Sequence, residues 1–242
     1  MSALFAELAY SETAIGVLSL RRRRDLALGI DVYEIKLDDE YLMSSLFTEG
    51  EVALATLGLD GLAAGAADVV VGGLGLGYTA AAALDHPGLR SLVVIDALPA
   101  VIDWLRRGLV PLGTRLSEDP RCKFRQGDFF ALAQAELLAG DTPGGTVDAI
   151  LLDVDHSPRN VLHPSHAALY APAGLRRLAS QLKPGGVFAL WSNDPPDALF
   201  MDALGEAFAS AQAKVVRFPG LGRTAAVENT VYVARTAAAV GR

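Results

Sequence analysis

The chain has little of three features that would mark particular protein classes. A single cysteine, Cys122, among 242 residues excludes an internal disulfide and a metal site built from cysteines. Basic side chains are outnumbered, 21 Lys and Arg against 28 Asp and Glu, and the net charge of −7 argues against a nucleic-acid partner. No apolar run is long enough to span a membrane, and the first residues lack a signal-peptide pattern. We therefore expect a cytoplasmic protein with a small-molecule substrate, and no nucleic-acid or membrane partner.

The most informative stretch is DVVVGGLGLG, residues 68–77, where an apolar strand runs into a glycine-rich turn. Glycines lack a Cβ, so the backbone can turn sharply there and a ligand can approach closely. A second apolar strand, LVVID at 92–96, ends in an acid that either accepts hydrogen bonds from ribose hydroxyls or caps the next helix. A strand, a glycine-rich turn and a second strand that ends in an acid are, in this order, typical of the nucleoside-binding half of a doubly wound sheet. We assign nucleoside binding to Gly72, Gly73, Gly75, Gly77 and Asp96.

From Asp68 onward, predicted strands and helices alternate, which indicates a parallel sheet covered by helices on both faces. The predicted strands cover 68–72, 91–96, 122–126, 148–153, 186–192, 214–218 and 230–234. The predicted helices cover 77–85, 98–107, 130–139, 171–182 and 197–211. Because no helix separates the last two strands, they predict an antiparallel end to the sheet. The result is an α/β fold with a doubly wound, seven-stranded, mostly parallel sheet, which resembles the class I S-adenosylmethionine-dependent methyltransferase fold.

The first 50 residues have a different character and predict a small β appendage. Residues 13–20 and 31–37 alternate apolar and polar side chains, which indicates antiparallel strands. The basic run 21–24 is interpreted as a solvated turn between them rather than a phosphate-binding patch. A helix over 48–62 follows, and Thr48 with Glu51 forms a predicted capping box. We divide the chain into a small N-terminal β region, 1–50, and a Rossmann-like nucleoside-binding transferase domain, 51–242.

Two further strand ends carry candidate site residues, because ligands of open α/β sheets bind outside the carboxyl ends of the strands. Asp128 follows the third strand of the sheet and either accepts a hydrogen bond from an adenine amino group or only caps the next helix. Either Phe129 or Phe130 packs on the adenine ring, or the two phenylalanines belong to the core. After the fourth strand, Asp153 and Asp155 are candidates to hold a substrate amine or take a proton from it. The alternative is a solvated turn.

Histidines follow the two acids. His156 lies next to Asp155 and is a weaker candidate for the same site. His163 and His166 have a spacing that metal ligands can have, but the sequence offers no obvious third ligand, so we expect no metal. A loop that covers the pocket is the preferred interpretation of this segment.

With these residues identified, the chain resembles the spermidine synthase family from about residue 30 to 192. The similar segments are GGLGLGYT at 72–79, VVIDALPAVID at 93–103, DPRCKFRQGD at 119–128, DAILLDVDHSP at 148–158 and LKPGGVFA at 182–189. The resemblance implies ribose binding by Asp96, adenine binding by Asp128 and a catalytic role for Asp153. It also implies transfer of an aminopropyl group from decarboxylated S-adenosylmethionine to an amine such as putrescine. The N-terminal β region fits as well, because family members carry one over the active site.

The sequence departs from the family in the parts that contact the substrates. Gly75 stands where the family has an Asp that receives the amine of the donor. Asp153 and Asp155 are separated by one residue, whereas the two carboxylates of the family are separated by two. Residues 38–45 lack the tyrosine and glutamate pattern that helps to hold the acceptor. The resemblance therefore covers the nucleoside pocket better than the acceptor site.

Three functions remain open at this point. Aminopropyl transfer is preferred, with decarboxylated S-adenosylmethionine as co-substrate and an amine acceptor. Methyl transfer from S-adenosylmethionine itself is the alternative, because a donor that keeps its carboxylate suits the loss of an acid at Gly75. A non-catalytic nucleoside-binding module is the third, since fold alone does not decide function. We also expect a homodimer, and elution at the size of a monomer at micromolar concentration would contradict it.

Overall fold

The computed structural model describes residues 4–13, 15–62, 66–140, 144–220 and 226–239. The described strands are β1 Phe5–Thr13, β2 Gly16–Asp25, β3 Ile30–Leu37, β4 Glu40–Ser44, β5 Ala67–Gly72, β6 Leu89–Asp96, β7 Cys122–Gln126, β8 Val147–Leu152, β9 Leu182–Ser192, β10 Ser210–Phe218 and β11 Val227–Arg235. The described α-helices are α1 Glu49–Leu59, α2 Tyr78–Leu84, α3 Pro99–Arg106, α4 Gly113–Glu118, α5 Phe129–Gln134, α6 Ala167–Tyr170, α7 Pro172–Ala179 and α8 Ala198–Ala207. None of the described helices is long and apolar enough to cross a membrane.

The larger sheet has seven strands in the order β10-β11-β9-β8-β5-β6-β7. Strand β11 runs antiparallel to both of its neighbours, and the other pairs are parallel. Val69 and Val71 of β5 join one buried apolar cluster while Val70 joins the other, so this strand is buried on both faces. The predicted doubly wound, mostly parallel sheet is confirmed. Its strand order changes direction beside β5, where ligands of such sheets bind.

The N-terminal region forms an antiparallel sheet in the order β1-β2-β3-β4. The prediction that residues 21–24 form a solvated turn is wrong, because they lie inside β2. Their charges are balanced across the strands: Arg23 Nε donates to Glu34 Oε1 at 2.8 Å and Arg24 Nη1 donates to Asp31 Oδ1 at 3.2 Å. The predicted strand over 13–20 was also too long at its start, since β1 ends at Thr13 and β2 begins at Gly16.

The inner face of the N-terminal sheet packs on the larger domain. Leu18, Leu20 and Ile35 belong to the same buried cluster as Leu54 of α1 and Val71 of β5. The apolar contact holds β4 close to the carboxyl ends of the parallel strands. The division of the chain at residues 50 and 51 stays a prediction.

Other local predictions need correction. The capping box at the start of α1 does not form, because the Thr48 side chain makes no cap hydrogen bond and Glu51 points into the protein. The predicted strand 186–192 begins too late, because β9 already starts at Leu182. Within β9, Gly185 has a positive φ of 77° and the pairing with β8 is irregular. Helix α4 was not predicted; it is 6 residues long and begins at Gly113.

Candidate active site

The candidate site lies where β5, β6 and β8 end. Strand β5 ends at Gly72, β6 at Asp96 and β8 at Leu152, immediately before Asp153. The three strands are adjacent in the sheet, so these residues meet at one edge. The Asp153 amide donates a hydrogen bond to the Gly72 carbonyl at 2.8 Å, which ties the acid to the glycine turn.

The glycine turn needs its glycines for two reasons. Gly73, Gly75 and Gly77 have positive φ values of 94°, 48° and 92°, in the left-handed region that other residues rarely adopt. Neighbours also approach closely, because a Cβ on Gly73 would overlap the carbonyl oxygen of Asp153 and a Cβ on Gly72 would meet the ring of Phe129. The turn is therefore a tightly packed backbone element at the switch point of the sheet.

Asp96 holds the glycine turn from the neighbouring strand. Its Oδ2 accepts from the Leu74 amide at 2.9 Å, its Oδ1 accepts from the Leu98 amide at 2.8 Å, and the Gly75 amide also donates to the carboxylate. Burial raises the pKa of Asp96, while these amides oppose that shift. Both predicted roles fit this placement: the acid supports the start of α3, and it lies at the strand end where a ribose would bind. Ribose binding stays a prediction.

Asp128 and Phe129 lie at the start of α5. Asp128 Oδ1 accepts from the Phe130 amide at 2.9 Å and from the Ala131 amide at 3.3 Å, so the acid caps the helix. Both contacts use one carboxylate oxygen, and the side chain is exposed. Phe129 is buried against Gly72. The contacts support the helix-cap and core interpretations, and the adenine role of both residues stays a prediction.

A pair of acids forms the chemical centre of the site. Asp153 Oδ2 accepts from the Thr79 hydroxyl at 2.6 Å. Burial raises the pKa of Asp153 to about 6, and the Thr79 hydrogen bond limits the rise. Glu51, in the first turn of α1, is close enough for the Asp153 charge to act on it, and burial together with that charge raises the pKa of Glu51 to about 8. Asp153 ionises first because the Thr79 hydroxyl stabilises its charge, and Glu51 then ionises against that charge.

Glu51 and Thr79 were missed as site residues. The local spacing of Thr48 and Glu51 fits a capping box, which gave Glu51 a sufficient explanation. One signal was present: Glu51 precedes Leu54 and Ala55 by three and four residues, so it shares their face of the helix, and both are buried. An acid on a buried face needs a partner or a function.

Asp155 lies apart from this pair. It is only 1% exposed, and both of its oxygens are occupied. Oδ1 accepts from the Leu162 amide at 2.7 Å and lies 2.8 Å from His166 Nδ1, and Oδ2 accepts from the Tyr170 hydroxyl at 2.7 Å. The His166 ring stacks on Phe130 with centroids 3.6 Å apart. The geometry makes Asp155 an anchor of the loop over 156–166, and its predicted catalytic role gains no support from these contacts.

A cavity of about 350 Å³ opens beside the acid pair, between β4 and the carboxyl ends of the strands. Its lining includes Tyr41, Met43, Phe47, Glu51, His156 and Trp191. His156 Nε2 lies 3.6 Å from Glu40 Oε1, which places a second acid near this region. The Trp191 Nε1 atom is buried without a hydrogen-bond partner among the described residues. The cavity therefore combines aromatic walls with an acid, which suits an acceptor that carries an amine.

A second cavity of about 400 Å³ lies beyond β9, lined by Arg159, Asp197 and Tyr232 among others. Arg159 Nη2 donates to Asp197 Oδ1 at 2.8 Å, and its Nε donates to the other oxygen of the same carboxylate. The guanidinium that could bind an anion is therefore already neutralised. Although this cavity is the larger one, the site chemistry lies in the cavity that contains Glu51.

Metal ligands are not assembled in the part of the chain that the structure describes, where no group of three or more His, Cys, Asp or Glu side chains could hold an ion. His163 and His166 lie with ring centroids 5.9 Å apart, but His163 bonds Ser165 and His166 bonds Asp155.

Comparison with solved structures identifies the fold. A spermidine synthase in complex with the transition-state analogue AdoDATO superposes with a TM-score of 0.71 at 16% identity, over 95% of this chain and 73% of the other. The spermidine synthase of Thermotoga maritima gives 0.69 at 16% identity, over 94% and 71%. A probable spermidine synthase from Corynebacterium glutamicum gives 0.66 at 18% identity, over 94% and 79%. The chain therefore has the fold of spermidine synthases, as its sequence resemblance implied.

The likeness at this identity concerns the fold. No protein-family model matches the chain, and no curated protein matches it.

Proposed function

We propose that the protein transfers an aminopropyl group from decarboxylated S-adenosylmethionine to an amine acceptor. The observation that carries the proposal is the buried acid pair of Asp153 and Glu51, beside a glycine turn and next to a cavity of suitable size. The spermidine synthase fold, including one neighbour bound to a transition-state analogue, supports the same choice of donor.

The acid pair has the protonation state that the reaction needs. Because the pKa of Asp153 is about 6 and that of Glu51 about 8, the pair carries one negative charge at neutral pH. The charge attracts an ammonium group, and a base with a pKa close to the working pH is effective in proton transfer. The ionised Asp153 takes a proton from the amine, whose lone pair then attacks the methylene carbon bonded to the donor sulfonium. The carbon–sulfur bond breaks and its electron pair stays on sulfur, which leaves methylthioadenosine.

The test is an incubation of the protein with decarboxylated S-adenosylmethionine and a panel of amines, with products identified by mass spectrometry. We expect methylthioadenosine and an aminopropylated amine. Asp153→Asn should reduce the rate about 10²- to 10⁴-fold, the usual contribution of a positioned base. Asp202→Asn, the same change at an exposed residue of α8, is the matched control and should leave the rate unchanged. Absence of aminopropyl transfer to every amine would refute the proposal.

Methyl transfer from S-adenosylmethionine is the second candidate. The observation in its favour is Gly75, which leaves the turn without the acid that would receive the amine of a decarboxylated donor. The catalytic demand would then be alignment of the nucleophile with the methyl group. Methylated product from S-adenosylmethionine, without aminopropylated product, would select this function. Tight nucleoside binding without either product would select a non-catalytic binding module.

The remaining expectations stay predictions. They are the homodimer, a cytoplasmic location, a place in polyamine biosynthesis, and nucleoside contacts by Gly72, Gly73, Gly75, Gly77, Asp96, Asp128 and Phe129.

A further inference from the structure

The backbone amides of the glycine turn all have acceptors. Gly73 donates to the Ile95 carbonyl at 2.9 Å, and Gly77 donates to the Leu74 carbonyl at 2.8 Å. The Leu74 and Gly75 amides both donate to the Asp96 carboxylate. The fifth amide of the turn, that of Leu76, also has a partner, but this partner is not an oxygen.

The Leu76 amide points at a sulfur atom from the N-terminal sheet. Met43 Sδ, on β4, lies 2.7 Å from the Leu76 nitrogen. The same sulfur lies so close to Gly75 that a Cβ on this glycine would overlap it. A thioether is a weak hydrogen-bond acceptor, so Leu76 has the weakest partner of the turn amides. Met43 is half-buried and also lines the cavity that contains Glu51.

We propose that Met43 is a specificity-determining residue that selects a nucleoside donor without a carboxylate, because its thioether covers the one turn amide that a carboxylate could use. The inference rests on the proposed nucleoside site. With the ribose at Asp96 and the reacting methylene near Asp153, the donor sulfur and the substituent that begins at this methylene lie over the turn that connects these two acids. That substituent reaches Gly75 and Leu76, where it meets Met43.

The two donors differ only in what this substituent carries. S-Adenosylmethionine has an ammonium and a carboxylate, whereas the decarboxylated donor has an ammonium alone. A carboxylate against the thioether would lose its water without gaining a hydrogen-bond donor, which is unfavourable. It would also lie close to the negative charge of the Asp153 and Glu51 pair. The ammonium of either donor gains from that charge. Met43 and the acid pair therefore favour the decarboxylated donor although Gly75 replaces an acid.

The experiment is a calorimetric titration of S-adenosylmethionine, its decarboxylated form and methylthioadenosine into the wild type, Met43→Ala, Met43→Leu and Met201→Leu. We expect the wild type to bind the decarboxylated donor at least about tenfold more tightly than S-adenosylmethionine. Met43→Ala should reduce this ratio of affinities to about threefold or less. The reason is that the Leu76 amide becomes available to the carboxylate, so S-adenosylmethionine binds more tightly. Met43→Leu should keep the wild-type ratio, since an apolar side chain still covers the amide.

Two controls separate specificity from loss of fold. Methylthioadenosine has no charged substituent, so its dissociation constant should change less than about twofold in Met43→Ala. Met201→Leu makes the matched change on α8 and should keep the ratio. Met43→Thr, which suits a strand, serves the same test if Met43→Ala does not fold.

The inference is overturned if the wild type prefers S-adenosylmethionine or binds both donors equally. It is also overturned if Met43→Ala keeps the ratio while methylthioadenosine still binds. The failure of the proposed function looks different: a preference for the decarboxylated donor without any aminopropyl product would refute the transfer reaction and support the role of Met43. Absence of binding by all three ligands would overturn both.

Discussion

The hydroxyl of a single residue, Thr79, limits the rise that burial causes in the pKa of the proposed base. It donates to Asp153 Oδ2 at 2.6 Å and stabilises the ionised form, which lowers a pKa that burial raises. Thr79→Val removes this bond, so the pKa of Asp153 should rise and the acidic limb of the kcat/KM profile should move to higher pH. Because a hydrogen bond to a charged group contributes about 1.5 to 3 kcal/mol, we expect a loss of activity near pH 6 of at least about sevenfold.

The control for Thr79→Val is Thr79→Ser, which keeps the hydroxyl and should keep the acidic limb in place. At high pH both variants should approach the wild-type rate, because Asp153 is then ionised in each. An equal loss at every pH in Thr79→Val would show that the residue affects packing rather than the pKa of Asp153.

Residues differ in how far the sequence alone reveals them. Asp153 could be predicted because it directly follows an apolar strand, and the fold rule for strand ends identifies it. Glu51 was harder to predict: its place on the helix face of Leu54 and Ala55 was a signal, but its partner is distant in the chain and a capping box explained it locally. Met43 offered no signal at all, since a methionine in a short strand predicts packing. The predicted role of Asp155 relied on the same strand-end rule, but Leu162, His166 and Tyr170 surround it.

Among the elements, the glycine turn is the one with the least tolerance for change. Gly73 has a φ of 94° and faces the Asp153 carbonyl, whereas Gly185 has a φ of 77° and open space. An alanine at either site incurs backbone strain of about 1 to 3 kcal/mol. Only Gly73→Ala must also displace β8 or β5. We expect its free energy of unfolding, measured with denaturant, to fall at least about 2 kcal/mol further than that of Gly185→Ala.

An equal decrease in the free energy of unfolding of Gly73→Ala and Gly185→Ala would contradict the close packing of the turn against Asp153. A donor titration adds a second readout, because Gly185 lies at the opposite end of β9 from the site. Gly185→Ala should therefore bind the donor as the wild type does.

Elements buried on both faces were predicted best. After an acid at the second position, strands β5 and β8 continue as apolar runs because helices cover both sides of the sheet. The predicted strand ended at residue 20, before the end of β2, because four consecutive arginines are typical of a solvated turn. Their partners Asp31 and Glu34 belong to β3, and a single strand does not reveal such cross-strand pairs.

The whole molecule places two kinds of acid at opposite edges of its sheet. At the amino edge, Arg90 and Ser91 donate to Asp68 and hold its pKa at about 2. Lys183 Nζ lies 2.7 Å from Asp148 Oδ2 and 3.5 Å from Asp68. At the carboxyl edge, burial raises the pKa values of Asp153 and Glu51 instead. One edge therefore favours ionised acids and the other favours protonated ones.

The two edges predict a stability maximum at acidic pH. Asp68 has a lowered pKa, so its contribution is complete above 3.8 and is lost as the pH falls toward about 2. The pair has raised pKa values, so the folded protein binds more protons than the unfolded chain. The contribution of the acid pair to the free energy of unfolding is therefore highest below about pH 4. It is lost as the pH rises toward about 6 for Asp153 and about 8 for Glu51. Denaturant titrations across the pH range should place the maximum between about pH 4 and about pH 5.

Glu51→Gln tests the carboxyl edge within the whole molecule. The amide stays neutral, so the variant avoids the cost of ionising a buried acid. The free energy of unfolding of Glu51→Gln, relative to that of the wild type, should therefore increase by on the order of 2 kcal/mol between about pH 5.5 and about pH 8.5. Glu118→Gln, at an exposed position of α4, should show no such trend. A constant difference between Glu51→Gln and the wild type would mean that Glu51 ionises as easily in the fold as in the unfolded chain. The acid pair would then hold two charges at neutral pH, and the singly charged pair on which the proposed reaction relies would not exist.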